Sequence, residues 1–150
     1  MRFKEFYLTE MPFVNTMKDN DVSKMVTTDY LKKLYADVVE TKPIKTFGSV
    51  KLYKDGEFYY FLDYLRGNIV AGLTLDSKNC SIKDIPQVTY IRVVSDMNGR
   101  GFAKHLYELA INHFGAIESD KSLTKFKKSG SVYIWKSLSK QYNMYSLIDG

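Results

Sequence analysis

The residues of this chain best suited to chemistry lie in one short loop, residues 98–103, which reads Asn-Gly-Arg-Gly-Phe-Ala. The loop separates an apolar run at residues 88–94, which predicts a strand, from a strongly periodic helical segment. Backbone N–H groups at the start of a helix lack intrahelical partners, and the helix dipole adds partial positive charge there. Gly99 and Gly101 would let an anion approach the backbone, and Arg100 adds charge at the rim. The loop therefore predicts a phosphate-binding site.

A plain strand-to-helix connection, in which Asn98 and Gly99 only make a turn, is the alternative reading of this loop. The loop has no Lys-Ser/Thr pair after its second glycine, as a P-loop requires. It also has no third glycine, as the dinucleotide-binding fingerprint requires.

The elements that position the loop are predicted from hydrophobic spacing and from turn residues. In order, they are a strand at residues 1–8, a helix capped by Thr28 or Asp29 and ended by Pro43, strands at 47–53, 57–64, 69–75 and 88–94, a helix ended by Gly115, a short strand at 116–118, a helix from about residue 130 and a strand at 142–148. Tight turns are expected at residues 55–56 and 67–68. This order predicts a single α+β domain over residues 1–150, with a mixed, mainly antiparallel central sheet flanked by helices.

Composition and charge narrow the classes of partner. The 12 tyrosines and 9 phenylalanines favour a β-rich core and an aromatic-lined groove. The formal net charge of +5 favours anionic partners such as nucleic acid, nucleotide cofactors or acidic proteins. The densest lysine cluster could bind such a partner or form a solvated turn; its members are Lys121, Lys125, Lys127 and Lys128.

Several classes of protein are disfavoured by what the sequence lacks. Cys80 is the single cysteine, so no internal disulfide and no cysteine-based zinc site is expected. His105 and His113 are too sparse for a metal cluster. No apolar run approaches the length of a membrane span, and the N-terminus lacks the apolar core of a signal peptide. We expect a cytoplasmic protein without a metal site.

Residues 93–115, VVSDMNGRGFAKHLYELAINHFG, resemble the acyl-CoA-binding segment of the GNAT superfamily of N-acetyltransferases. The family signature is Gln/Arg-x-x-Gly-x-Gly/Ala between a central strand and a helix. Gly101 and Ala103 match its small-residue positions, whereas Asn98 departs from its first position. The predicted element order also resembles that family. Residues 119–138 are similar to small phage-encoded proteins of this kind.

The resemblance implies a GNAT-like fold and a set of residues that bind acetyl-CoA as co-substrate. In that fold the central strand splays from its neighbour, and the pantetheine arm pairs with the strand's backbone. The residues that the resemblance assigns to acetyl-CoA are Val93, Val94, Asn98, Gly99, Arg100, Gly101, Phe102, Ala103 and Lys104.

Acyl transfer to an amine also needs a base for the amine, a donor to the oxyanion and a proton for the thiolate. A backbone N–H near Val94 could serve the oxyanion. The candidate bases are carboxylates: Glu118, Asp63 and Asp96. The family often uses a tyrosine of its last helix as proton donor, and Trp135 falls at that position. Tyr133 and Tyr142 are the nearby substitutes.

The sequence thus predicts a CoA-dependent N-acyltransferase that transfers acetyl from acetyl-CoA to an amine of a protein, a small molecule or a nucleic acid. The alternative is a catalytically degenerate GNAT-like domain, or another α+β binding module, that engages nucleic acid or a protein. The net charge, the many tyrosines and the absence of an obvious acid and base favour this alternative.

Overall fold

The computed structural model describes residues 25–119 and 130–143, and for residues 130–133 it describes the backbone only. Three predicted features lie outside the described residues: the strand at residues 1–8, the lysine cluster at residues 121–128 and most of the strand at residues 142–148.

The described residues form helices on both sides of a sheet. In chain order the elements are α1 (Thr28–Leu34), α2 (Ala36–Val39), β1 (Lys45–Phe47), β2 (Val50–Asp55), β3 (Phe58–Leu65), β4 (Asn68–Asp76), β5 (Gln87–Val93), a 3-10 turn (Ser95–Met97), α3 (Phe102–Phe114) and α4 (Gly130–Leu138).

Helix α1 is capped by Thr27, one residue before the first of the two predicted caps, Thr28. The hydroxyl of Thr27 accepts a hydrogen bond from the backbone N–H of Tyr30 at 3.1 Å, which satisfies one of the free donors of the first turn. Tyr35 leaves helical geometry, with φ −102° and ψ 14°. The single helix predicted for this segment is therefore two short helices.

The five strands form one sheet in the order β1-β2-β3-β4-β5, and all neighbours are antiparallel. Leu65 pairs with Asn68, so Arg66 and Gly67 are the two turn residues between β3 and β4. Both have positive φ, 53° and 81°, as the tight turns that match strand twist require. The turn lies one residue before the predicted position.

The first predicted strand, residues 47–53, is interrupted by a turn that the sequence prediction missed. Phe47 pairs with Val50, which leaves Gly48 and Ser49 as the turn residues. Gly48 has φ +63°, a conformation that glycine adopts without a steric penalty. The chain therefore reverses here and forms a hairpin of β1 and β2.

Each face of the sheet is covered by a different pair of helices. Helices α3 and α4 cover one face, which we call the α3 face, and the rings of Tyr107 and Trp135 join the two helices at 5.2 Å. Helices α1 and α2 cover the other, the α1 face, where Leu31 and Val38 are buried. Burying a side chain as completely as Leu106, which is 0% exposed, contributes about 2 kcal/mol to stability.

One parallel bridge extends the sheet beyond β5. Glu118 pairs with Gln87: the backbone N–H of Val88 donates to Glu118 O at 2.8 Å, and that of Glu118 donates to Pro86 O at 2.9 Å. The strand predicted at residues 116–118 is reduced to this bridge. With it, the prediction of an α+β fold with a mixed, mainly antiparallel sheet flanked by helices is confirmed.

Within the described ranges, no helix has both the length and the apolar character needed to cross a membrane.

Candidate acyl-CoA site

The glycine loop follows β5 where that strand ends, as the sequence predicted. Ser95 fixes the start of the connection: its backbone N–H donates to Val26 O, and its hydroxyl accepts from the backbone N–H of Val26, both at 2.9 Å. The chain then forms the 3-10 turn, passes through residues 98–101 and enters α3. The loop is thus anchored on one side by the segment that precedes α1.

Both glycines of the loop adopt conformations that require glycine. Gly99 has φ +80° and Gly101 has φ +88°, and a Cβ added to either would meet no atom within 4 Å. The space beside the backbone is therefore open. A ligand could approach both residues at contact distance.

The start of α3 carries free backbone donors. Gly101 is the N-cap, no side chain caps the helix, and the first intrahelical hydrogen bond runs from His105 N to Gly101 O at 3.0 Å. The N–H groups of Phe102, Ala103 and Lys104 consequently have no partner inside the helix. Together with the dipole of a 13-residue helix, they form a donor set for an anion.

The charges around this donor set favour an anion too. The first turn of α3 contains no acidic residue. Arg100 is exposed and Lys104 is half-buried, so both can reach a ligand at the rim. By contrast, Ala103 is buried and Phe102 packs against the core, so these two residues can contribute only backbone groups.

Asn98 occupies the position where the family signature has Gln or Arg. Both polar atoms of its side-chain amide are buried, and neither has a hydrogen-bond partner among the residues described. An unsatisfied buried polar group costs about 1–3 kcal/mol. This amide is therefore a group in the loop that a bound ligand could satisfy.

Hydrogen bonding along β5 decides which of its backbone groups can face a ligand. The N–H of Val94 donates to Val70 O at 2.9 Å, so it is not available to an oxyanion or a pantetheine arm. Because donors of an antiparallel strand alternate between its two sides, the N–H and C=O groups of Ile91 and Val93 point away from β4. Among the described residues, nothing pairs with that edge between the Glu118 bridge and the glycine loop. Ile91 and Val93, not Val94, therefore have backbone groups that face away from β4.

Glu118 lies at the opposite end of this edge from the glycine loop. Six residues of strand separate Val88, its backbone partner, from Val94, or about 20 Å. The side chain is 8% exposed, and its Oε2 accepts a hydrogen bond from the backbone N–H of Ser81 at 3.1 Å. Glu118 therefore marks the point from which the unpaired edge begins.

The other predicted catalytic residues are spread over the fold. The hydroxyl of Tyr142 donates to Asn112 Oδ1 at 3.4 Å, near the end of α3 that lies farthest from the loop. The side chain of Tyr133 is outside what the structure describes. Asp63 is buried and accepts a hydrogen bond from Ser49 Oγ at 2.7 Å, and Asp96 is exposed beside the loop. The structure brings the predicted cofactor residues together at the loop, and it places Glu118 and Tyr142 away from the loop, beyond the start of β5 and near the C-terminal end of α3.

A cavity of about 740 Å³ opens on the α1 face of β5, and sequence reasoning did not find it. We call it the α1-face cleft. Its aromatic and apolar walls come from α1, α2, β3 and β5, and its polar floor from β4 and β5. The walls include Tyr35, Val38, Phe58, Tyr60 and Tyr90, and the polar residues include Thr74, Asp76, Gln87 and Arg92.

Tyr35 and Gly72 fit together at one end of the cleft. A Cβ on Gly72 would lie 2.6 Å from the hydroxyl oxygen of Tyr35, so only glycine leaves room for the phenol against β4. The hydroxyl lies near Arg92 and Thr74. Burial raises the pKa of Tyr35, and these two neighbours only partly oppose that shift. A glycine within an otherwise buried strand was the signal in the sequence for this close approach.

Comparison with known proteins gives structural likenesses only. A scan of protein-family models finds no match, and curated proteins give none. The fold is similar to an aminoglycoside acetyltransferase from an uncultured soil metagenomic sample, both in complex with trehalose (17% identity, TM-score 0.43) and with sisomicin (15% identity, TM-score 0.44). In both cases the match covers 82% of this chain and 88% of that chain.

A third likeness is to the apo structure of an aminoglycoside 6'-N-acetyltransferase from Acinetobacter haemolyticus. It has 14% identity and a TM-score of 0.41, and it covers 83% of this chain and 81% of that chain.

Proposed function

We propose that this protein is a CoA-dependent N-acyltransferase that transfers acetyl from acetyl-CoA to an amine. The observation that carries the proposal is the backbone edge of β5, which no strand of the described residues pairs, running through two glycines with positive φ into a helix N-terminus that no side chain caps. This arrangement offers two kinds of donor in sequence. The N–H groups at the helix N-terminus suit phosphates, and the backbone groups of the β5 edge suit the amides of an extended arm.

The phosphate groups would bind at the glycine loop. The free N–H groups at the start of α3 supply directed donors, and Arg100 and Lys104 supply charge. Gly99 and Gly101 leave the space that the phosphates need. The Asn98 amide would gain the partner that it lacks among the described residues.

The pantetheine arm would lie along the β5 edge. Ile91 and Val93 present alternating N–H and C=O groups there, which can pair with amides as a further strand would. An arm anchored at the loop and extended along this edge runs towards Glu118. The reacting end would then meet the residue predicted as the base.

The acceptor amine would enter from the α1-face cleft, because the cleft and the edge share β5. Glu118 accepts a proton from the amine as its nitrogen attacks the thioester carbonyl carbon. The new C–N bond replaces the C–S bond, and the departing thiolate takes a proton from a tyrosine hydroxyl, Tyr133 or Tyr142. These roles are proposed from residue chemistry and from the position of Glu118 at the end of the edge.

The test compares glycines at the two ends of α3. Gly101 and Gly115 have φ +88° and +85°, and neither has an atom within 4 Å of its would-be Cβ, so aspartate imposes the same backbone strain at both. Gly101→Asp puts a carboxylate at the phosphate site and should weaken acetyl-CoA binding about 100-fold. Gly115→Asp, the matched control, should leave the affinity within about twofold.

Equal losses in the two variants would show that the loop is not the phosphate site. If the unmodified protein binds no acetyl-CoA, the proposal fails, and the nucleic-acid or protein-binding module becomes the leading hypothesis.

A further inference from the structure

We propose that the α1-face cleft binds a small amine through an acidic group of that amine, a carboxylate or a phosphate, held by Arg92 and Tyr35. The inference deepens the proposed function, since it takes this ligand to be the acceptor. It concerns a site built on different residues from the acetyl-CoA site.

Arg92 is the positively charged residue of the cleft that could bind an anion. It lines the cleft, is half-buried, and its guanidinium carbon lies 4.2 Å from the centre of the Tyr90 ring. In the described ranges it forms no ion pair with a carboxylate. The Tyr90 ring restrains the guanidinium within the lining of the cleft, and a guanidinium can make a bidentate contact with a carboxylate or phosphate.

Tyr35 supplies a second donor beside it. Gly72, against which the Tyr35 hydroxyl lies, pairs with Arg92 in the sheet. The side chain is 2% exposed, and neither Thr74 nor Arg92, although near, completes a hydrogen bond of good geometry with its hydroxyl. A buried hydroxyl without a well-placed partner is unfavourable, and an acceptor group bound in the cleft beside Arg92 would satisfy it.

The other end of the cleft carries the opposite charge. Asp76 lies four residues along β4 from Gly72, or about 13 Å. Burial raises the pKa of Asp76, but hydrogen bonds from Asn79 and from the backbone N–H of Lys78 outweigh it and hold the pKa below its usual value. The carboxylate therefore stays charged and attracts a cation.

These two ends orient the ligand. Gln87 pairs with Asp76 on one side and with Glu118 on the other, so the negative end of the cleft adjoins the proposed base. An acid group at Arg92 would direct the amine towards Asp76 and Glu118. Between the ends, Phe58, Tyr60 and Tyr90 form walls suited to an apolar spacer.

The experiment measures binding to the full chain without acetyl-CoA, by NMR titration with matched amines. The carboxylate arm compares 6-aminohexanoate with hexylamine, and the phosphate arm compares phosphoethanolamine with ethanolamine. We expect the acid-bearing amine to bind about tenfold tighter in at least one arm, because a hydrogen-bonded ion pair is gained. The arm with the larger preference identifies the acid.

Arg92→Met should abolish that preference, whereas Arg66→Met, which removes the same charge from an exposed turn, should keep it. Tyr35→Phe should reduce affinity for the acid-bearing amine about threefold or more while leaving the thermal midpoint unchanged or higher, since an unsatisfied hydroxyl is removed. A merely structural Tyr35 would lower the midpoint and leave affinity alone.

Three results would overturn the inference: equal affinity for both members of each pair, a preference that survives Arg92→Met, or no binding of any of the four amines. None of them bears on acetyl-CoA binding, which the Gly101→Asp comparison tests separately.

Discussion

The glycine loop and the α1-face cleft both adjoin β5, but the loop presents mainly backbone groups and the cleft presents side chains. The loop offers backbone N–H groups, a helix dipole and space left by missing side chains. The cleft offers a stacked guanidinium from β5, a carboxylate from β4 and the buried phenol of Tyr35, which lies between α1 and α2. The loop consists of consecutive residues, whereas the cleft forms only when the strands of the sheet have paired.

Binding and specificity can be divided between two such regions. Backbone donors recognise a phosphate wherever glycines allow its approach, whatever the neighbouring side chains are. Side chains in a cleft discriminate between ligands, because each must be matched in charge and position. Under the proposed function, the loop would bind the co-substrate and the cleft would select the acceptor.

The largest effect is expected at Glu118, which adjoins the negative end of the cleft and lies at the far end of β5 from the loop. Glu118→Gln removes the proposed base but keeps the size of the side chain and its capacity to accept from Ser81. We expect kcat, measured as thiol release from acetyl-CoA with 6-aminohexanoate as acceptor, to fall about 100-fold. Affinity for acetyl-CoA should stay within about twofold.

Glu40→Gln is the control for this change, since Glu40 is exposed at the end of α2. A normal kcat in Glu118→Gln would show that Glu118 is not the base.

Gly72→Ala should damage the cleft and spare the loop. The new methyl group would lie 2.6 Å from the Tyr35 hydroxyl and 2.8 Å from its ring carbon Cζ, so the phenol must move. We expect a loss of about 1–3 kcal/mol in the free energy of unfolding, measured by urea denaturation.

The double variant Gly72→Ala with Tyr35→Leu tests that cause, because the smaller side chain relieves the clash. Part of the stability should return. Additive losses would mean that the methyl group clashes elsewhere.

The charges at the rim of the loop should have smaller effects. Arg100→Met and Lys104→Met should each weaken acetyl-CoA binding about threefold to tenfold, with losses that shrink as salt is raised. Lys83→Met, in an exposed loop, should change nothing. Losses that do not depend on salt would contradict a role for these charges.

The smallest effect concerns acid stability at the negative end of the cleft. The pKa of Asp76 is lower in the folded protein than its ordinary value, so its contribution to stability is present above that ordinary value and is lost as pH falls through the folded one. Asp76→Asn should be less stable than the unmodified protein at pH 7, and the difference should shrink as the pH is lowered from 7 to below the folded pKa of Asp76. A constant difference between these pH values would show that the charge does not matter.

Much of the fold was predictable because its signals are local. The helix after the loop has a clear apolar stripe and ends at Gly115, which has φ +85° and donates to Ile111 O at 2.7 Å. The β1–β2 hairpin is not evident from the sequence, because Phe47 and Val50 are both apolar and the Gly-Ser pair between them is compatible with one continuous strand. A two-residue turn needs only one glycine with positive φ.

The candidate site was predictable only where it is contiguous. The glycine loop can be found in six consecutive residues, whereas Tyr35, Gly72 and Arg92 are far apart in sequence and meet only through the pairing of β4 with β5 and the packing of α1. The availability of Val93 and not Val94 also depends on strand pairing, because the register decides which N–H faces β4. A strand's N–H groups alternate between its two sides, but the sequence does not show which residues direct theirs towards β4.

Calorimetric titration of the protein with acetyl-CoA, beside desulfo-CoA and ATP, tests the central claim most directly. The account predicts micromolar binding of acetyl-CoA and of desulfo-CoA, which share the phosphates and the pantetheine arm, and much weaker binding of ATP, which has no arm for the β5 edge. Equal binding of all three would reduce the loop to a general phosphate site. No binding of acetyl-CoA would contradict the account.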